Sequence, residues 1–175
     1  MATGNNTKRY ETPNHPYQGE RIAQEGDLLG RYGLKNKEEL WRAQSELRNY
    51  RREARRLIGE AQGDLEEAEA AGVEFLTRLR RYGILSEDDD ISRVLGLDVT
   101  DILERRLQTV AYRKGLASTP KQARQFIVHG HVVVGDARVS RPSKKVEVAE
   151  EDGIEFDETS PLADELHPER AEGQE

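Results

Sequence analysis

The chain has no cysteine, one methionine and one tryptophan, and aromatic and hydrophobic residues make up only 6% and 35% of its 175 positions. The missing cysteines exclude disulfides and thiolate zinc sites, and leave the redox compartment open. So thin an apolar content allows a modest core and makes order in part of the chain depend on a partner. No run reaches the roughly 18 apolar residues of a membrane span. The N-terminus is polar and lacks the apolar stretch of a secretory signal. A soluble, intracellular protein of one ordinary domain or two small ones is expected. Catalytic signatures are missing as well: there is no GxSxG, P-loop, HExxH or cysteine nucleophile, and residues 1–100 carry no βαβ pattern for a nucleotide or methyl donor. The chain is read as a non-enzyme without a cofactor.

What is present is charge, unevenly placed. The net charge of −7 divides into +3 over residues 1–60, −8 over 61–104, +9 over 105–146 and −11 over 147–175. Asp136 is the one acid in the basic segment. A local positive field of this kind is what a phosphate backbone senses at short range. Arginine outnumbers lysine 20 to 7. An acidic chain rich in arginine is the composition expected of a high-salt cytoplasm. There the Debye length falls to about 3 Å at 1 M salt, and binding rests on direct bidentate contacts.

Punctuation and periodicity give an α+β organisation. Residues 1–35 are broken by Pro13, Pro16, Gly19, Gly26, Gly30 and Gly33 and read as an extended basic arm, with room for a short helix over Arg21–Arg31. A helical domain over 36–100 follows. Asn36 and Glu39 form a capping pair, and Leu40, Ala43, Leu47, Tyr50, Ala54 and Leu57 step at helical spacing. A second helix is expected over 64–82, with Leu65 and Ala68 on its apolar side. A short one runs from Ser86 to Leu95, and another from a Thr100 cap to Gly115. Thr119-Pro120-Lys121-Gln122 is a strong helix start. Val132-Val133-Val134, the Gly135-Asp136 turn, Arg138-Val139, Lys145–Val148 and Ile154–Phe156 then read as strands. The last unit, 101–158, is expected to pack two helices on a short antiparallel sheet. The acidic tail 159–175 is expected to be disordered.

Candidate RNA contacts fall in two groups. Five arginines, Arg48, Arg51, Arg52, Arg55 and Arg56, lie within nine residues against only Glu46 and Glu53. A solvated, salt-bridged helix face is the plainer alternative. The second group is Arg105, Arg106, Arg113, Lys114, Lys121 and Arg124, with His129, His131, Arg141, Ser143 and Lys144 able to reach phosphate or ribose. The helix start at Thr119–Gln122 offers free N–H groups for phosphate. His129-x-His131 has a metal-ligand spacing but no neighbouring cysteine or carboxylate, so no metal is assigned. Trp41 reads as packing, and the acidic clusters 88–90 and 150–152 as solvated surface. The two basic groups are expected to grip RNA from two sides, with Arg→Lys at Arg51, Arg55 or Arg106 weakening the grip.

Arg105-Arg106-Leu107, Ala117-Ser118, Ala123-Arg124-Gln125, Ile127, His129-Gly130-His131-Val132, Val134, Val139 and Pro142-Ser143 resemble the S-four RNA-binding domain. The family often has Asn-Gly where this chain has Gly135-Asp136, a turn of equivalent chemistry. Lys8 through Pro16, Tyr32-Gly33-Leu34, Leu40-Trp41-Arg42 and Tyr50 through Arg55 resemble the archaeal branch of the ribosomal S-four family, so the likeness covers roughly 7–157. This implies a primary binder of small-subunit rRNA that nucleates assembly of the subunit body. It also implies contacts with neighbouring small-subunit proteins near the messenger entry and a part in translational accuracy. A free-standing RNA-binding factor and a protein–protein adaptor using the acidic tail are the alternatives. The N-terminal block speaks against the first, and the basic segment against the second.

Overall fold

The structure, a computed structural model, describes residues 8–60 and 65–170. Residues 1–7 of the arm, 61–64, the side chains of Leu65, Glu66, Glu67 and Ala68, and tail residues 171–175 lie outside the described residues. The described helices are α1 (Gly19–Tyr32), α2 (Lys37–Glu60), α3 (Leu65–Arg81), α4 (Ile91–Leu95), α5 (Val99–Glu104), α6 (Leu107–Arg113) and α7 (Pro120–Val128). The strands are β1 (Val132–Val134), β2 (Ala137–Arg138) and β3 (Ile154–Phe156). They form one antiparallel sheet in the order β2-β1-β3. The architecture is α+β, as expected, with α6 and α7 packed together beside the sheet. No described helix is long and apolar enough to cross a membrane.

Helix α2 is the spine of the N-terminal half. Its buried stripe of Leu40, Ala43, Leu47, Ala54 and Leu57 follows the sequence period, and it packs against α1, α3, α4 and α5. One apolar cluster runs from Tyr32 to Leu103, and a second from Leu107 to Leu162. The division therefore falls on Arg105-Arg106. The sequence reads as one helix from Thr100 to Gly115, but the chain breaks at this pair. Asp98, not Thr100, opens α5, its N–H donating to Asp101 Oδ2 at 2.7 Å. At the break, the backbone turns to a different partner. Leu107 N donates to Lys144 O at 2.7 Å and Val146 N to Arg105 O at 3.0 Å.

That pairing also corrects the expected strand at Lys145–Val148. It contributes a single bridge, Arg106 to Lys145, and the chain then coils into a short 3₁₀ turn, Val148–Glu150. The helix expected from Ser86 is shorter too. Ser86 N donates to Asp89 Oδ2 at 2.8 Å in a turn, and Asp90 caps α4 by accepting from Arg93 N at 3.2 Å. The Gly135-Asp136 turn joins β1 to β2 with Gly135 at φ 59° and no other positive φ beside it. A positive φ at the first loop residue alone is the type II′ pattern, whereas Asn-Gly favours type I′ with positive φ at both. The turn length agrees with the family's usual pair, but the turn type does not.

Two terminal segments are more structured than the sequence suggests. The arm carries α1, a 14-residue helix longer than Arg21–Arg31, anchored by Glu25. That buried carboxylate accepts from Arg21 at 2.6 Å and from Trp41 Nε1 at 3.1 Å. The chain beyond Thr159 continues over the sheet instead of dissolving. Ser160 Oγ meets His131 Nδ1 at 2.9 Å, and Leu162 is buried in the second cluster with 4% exposure. An acidic composition concealed one apolar anchor. Leu162→Ala is expected to lower unfolding stability by about 2–3 kcal/mol, measured by denaturant melts. A loss below about 0.5 kcal/mol, the ordinary range for a surface change, would show the tail to be loosely held.

Candidate nucleic-acid interface

Most of the basic segment's charge meets acid within the fold. Seven of the ten cations in 105–146 have a carboxylate partner: Arg105, Arg106, Arg113, Arg124, Arg138, Lys144 and Lys145. The partners all come from outside the segment: Glu39 and Glu46 on α2, Glu104 on α5, and Glu150, Glu151 and Asp157 after it. Lys114 caps backbone, donating to Glu151 O at 2.5 Å and Asp152 O at 3.2 Å. Lys121 and Arg141 are exposed with no acid partner among the described residues.

Burial separates these pairs into two kinds. Arg113 to Glu104 (3.0 Å) and Arg138 to Asp157 (2.8 Å) leave each arginine side chain 56% exposed. Exposed pairs contribute about 0–1 kcal/mol, so a phosphate can replace such a partner at little cost. Arg106 is different: its side chain is 7% exposed and donates to Glu39 Oε2 at 2.9 Å, the oxygen that also accepts from Arg124. Burial opposes ionisation of Glu39, but the hydrogen bonds and charges of the two arginines outweigh it and hold the carboxyl below its ordinary range. Arg106 and Arg124, expected to face RNA, are therefore joints between the halves. Arg105 is likewise turned inward, onto Glu151 and, at 3.2 Å, Val146 O.

The start of α7 is occupied as well. Thr119 Oγ1 accepts from Gln122 N at 3.1 Å, as the sequence implies. Gln122, however, reaches back to Ser118 N at 2.7 Å. The Gly33 turn closes over the helix end at φ 58°, so near that an added Cβ would sit 2.9 Å from Lys121 N. Gln108, absent from the candidate residues, explains the approach. Its buried amide donates to Gly33 O at 2.9 Å and to Pro120 O at 2.8 Å. The N–H groups expected to take phosphate face protein here, and the one signal for Gln108 is its place two residues after Arg106.

On α2, Arg52 and Arg55 are exposed with no acid partner among the described residues. Arg48 pairs loosely with Glu11 at 3.2 Å and Arg56 with Glu60 at 2.8 Å. Arg51 is half-buried and donates to Leu97 O, so it holds the α4–α5 loop. His129 is exposed, whereas His131 is half-buried against Ser160. Arg141 and Ser143 are exposed on the loop after β2, and with Lys144 and Lys145 they line an open cavity of about 330 Å³ against Tyr82. Burial pushes the Lys145 ammonium down to about 8, while the neighbouring Glu46 carboxylate and Tyr50 hydroxyl favour its charged form. The outward cations thus lie on one face of α2, on the 141–144 loop and, with Arg113 and Lys121, on α6 and α7; α2 and the loop are joined through Glu39, Arg106 and Lys145.

Residues 105–152 match the family model described as S4 domain. The whole chain is 82% identical to the small ribosomal subunit protein uS4 of Haloquadratum walsbyi, over 100% of both chains. The chain belongs to the uS4 family. The uS4 protein of Natronomonas pharaonis is 77% identical over 99% of this chain and 100% of its own. That of Methanococcus maripaludis is 52% identical over 93% and 90%. The first two relatives come from halophilic archaea, in keeping with the acidic, arginine-rich composition.

The buried triad sets a pH dependence. Glu39 is held below its ordinary value, so its contribution is complete above about pH 4.5 and is lost as pH falls through the lower folded value. Glu39→Gln is expected to cost about 3 kcal/mol near neutrality, because it leaves two guanidiniums in a buried site without their anion. It should also flatten the acid limb of stability measured by urea melts between pH 7 and pH 3. An unchanged acid limb in the variant would remove Glu39 as its source.

Proposed function

We propose that this protein is a structural component of the small ribosomal subunit, cytoplasmic, non-enzymatic and without a cofactor. In this reading it binds small-subunit rRNA through two outward basic surfaces. One is the exposed face of α2, with Arg48, Arg52, Arg55 and Arg56. The other is the 141–144 loop with Lys121, Arg113 and His129 on the same unit. The full-length identity to uS4 proteins carries the reading. Family membership supports the further roles of nucleating assembly of the subunit body and contributing to translational accuracy. It also supports contacts with neighbouring small-subunit proteins near the messenger entry.

The division of cations refines how the grip works. Arg52, Arg55, Lys121 and Arg141 meet RNA without giving up an internal partner, and Arg48, Arg56 and Arg113 exchange an exposed carboxylate for phosphate. Arg51, Arg105, Arg106 and Arg124 set the position of these surfaces and do not leave them. Joining the two surfaces in one chain raises the effective concentration for the second contact once the first is made.

Salt-dependent filter binding to small-subunit rRNA tests this division. Arg52→Gln, Arg55→Gln and Arg141→Gln should each lower the salt slope by about 0.7–0.9 and leave the melting temperature in place. Arg55→Lys should weaken binding at high salt despite its charge, since lysine lacks the bidentate fork. Unchanged slopes in all three Gln variants would move the interface elsewhere. Absence of the chain from sedimented small subunits would overturn the ribosomal reading itself.

A further inference from the structure

A cleft of about 160 Å³ lies between α2 and the 142–146 segment, where the two halves of the chain meet. Glu39, Arg42, Glu46, Arg106, Ser143 and Lys145 line it. Charge around this cleft does not balance. Glu39 Oε2 serves both Arg106 and Arg124, and Glu46 serves Lys145. Arg42 has no carboxylate partner among the described residues; its guanidinium lies 5.8 Å from the Tyr10 ring. Three cations thus share two carboxylates, and Arg42 adds a fourth positive charge with none. Arg106 is also short of acceptors: its Nε and Nη1 are buried and make no hydrogen bond. Among the described residues, Glu39 supplies the one anion in contact with this guanidinium of 7% exposure, and two of its nitrogens stay unsatisfied.

We propose that this cleft takes one phosphate of the RNA backbone, with the Ser143 hydroxyl and the Arg42 guanidinium as its direct donors and the buried Arg106 charge behind them. The proposal rests on the RNA-binding reading above and gives it a place in the fold. The two idle nitrogens carry no solvent exposure in this conformation, so Arg106 acts through its field across the cleft wall. Because Arg106 itself is buried, its charge is less screened than that of a cation at the surface. Glu39 and Glu46 are also in the lining, but each already faces a cation, and the surplus positive charge remains. Arg141, next but one to Ser143 on the neighbouring cavity wall, meets the adjoining stretch of backbone. RNA seated there would touch α2 and the 141–144 loop at once and clamp the joint that Glu39 already holds.

Two measurements on the full chain, with Arg42→Gln and Ser143→Ala beside the unaltered protein, test this. The Arg106 position is avoided because its loss would disturb folding. In the first measurement, melting temperature is followed against inorganic phosphate at constant ionic strength. A saturable rise is expected for the unaltered protein, with the half-effect concentration raised about tenfold in Arg42→Gln and severalfold in Ser143→Ala. In the second, Arg42→Gln should lower the rRNA salt slope by about 0.7–0.9. No phosphate response in the unaltered protein would overturn the anion slot, while intact rRNA binding would leave the functional reading standing. A phosphate response with an unchanged salt slope in Arg42→Gln would overturn the RNA assignment in favour of a free anion. A phosphate response in a protein that fails to bind rRNA at all would overturn the functional reading instead.

Discussion

The Glu39 carboxylate accepts from Arg106 at the α5–α6 break and from Arg124 on α7, while its own helix α2 carries the first apolar cluster. This contact sets the C-terminal unit against α2. Burying ions is no efficient route to stability, because desolvation consumes much of the Coulomb gain. Its effect here is geometric. Two small cores meet at Arg105-Arg106, and their relative position has to be fixed by contacts across that joint. A carboxylate shared by two guanidiniums permits one orientation, and the Gln108 amide repeats the constraint between the Gly33 turn and the start of α7. Lys144 O and Val146 N complete it by binding the break itself. The loop that presents Arg141 and Ser143 is thereby referenced to α2, some hundred residues earlier in the chain.

The acidic segments on either side of the basic one have a structural reason. Ten cations in 42 residues repel one another, and a domain with so little apolar core has small reserves against that repulsion. Glu104, Glu150, Glu151 and Asp157 fold back onto their basic neighbours. The exposed pairs hold cations in place at little energetic depth, and can be released to an RNA phosphate. The −11 of residues 147–175 is therefore partly internal counter-charge and not only a solubilising surface.

Local signals carried much of the fold. Helix α2 has its apolar stripe and Asn36 cap in the sequence, α7 its Thr119-Pro120 start, and β1 its run of valines bounded by a glycine turn. The errors came where a distant partner overrode a local preference. The residues from Thr100 to Gly115 have helical spacing throughout, yet the 142–146 segment draws away the backbone groups of Arg105 and Leu107. Val146 and Val148 alternate as a strand would, yet one is buried and the other exposed beside a 3₁₀ turn. At the site, a basic pattern identified the right segment but could not rank its members. Arg106 and Arg141 look alike in sequence, and only the acid on a separate helix decides that one is a joint and the other faces outward. Glu39 shows the same limit: its position three after Asn36 marks a capping residue, and its carboxylate goes elsewhere.

The excess of arginine over lysine follows from both tasks at once. In concentrated salt, attraction beyond a few ångströms is screened, and the contacts that survive are those made directly and in more than one direction. Internally, Arg124 reaches Glu39 with one nitrogen and Gly33 O with another at 3.3 Å, and Arg138 spans Asp157 and Thr159. Arg105 joins Glu151 to Val146 O through Nη2 alone. A planar fork can fix the angle between two elements in a way that a single ammonium cannot. Phosphate offers the same paired oxygens as a carboxylate. The geometry that lets an arginine lock two pieces of this chain together is therefore the geometry that lets its neighbour on the open face hold a phosphate, and burial against a partner on another element separates the one from the other.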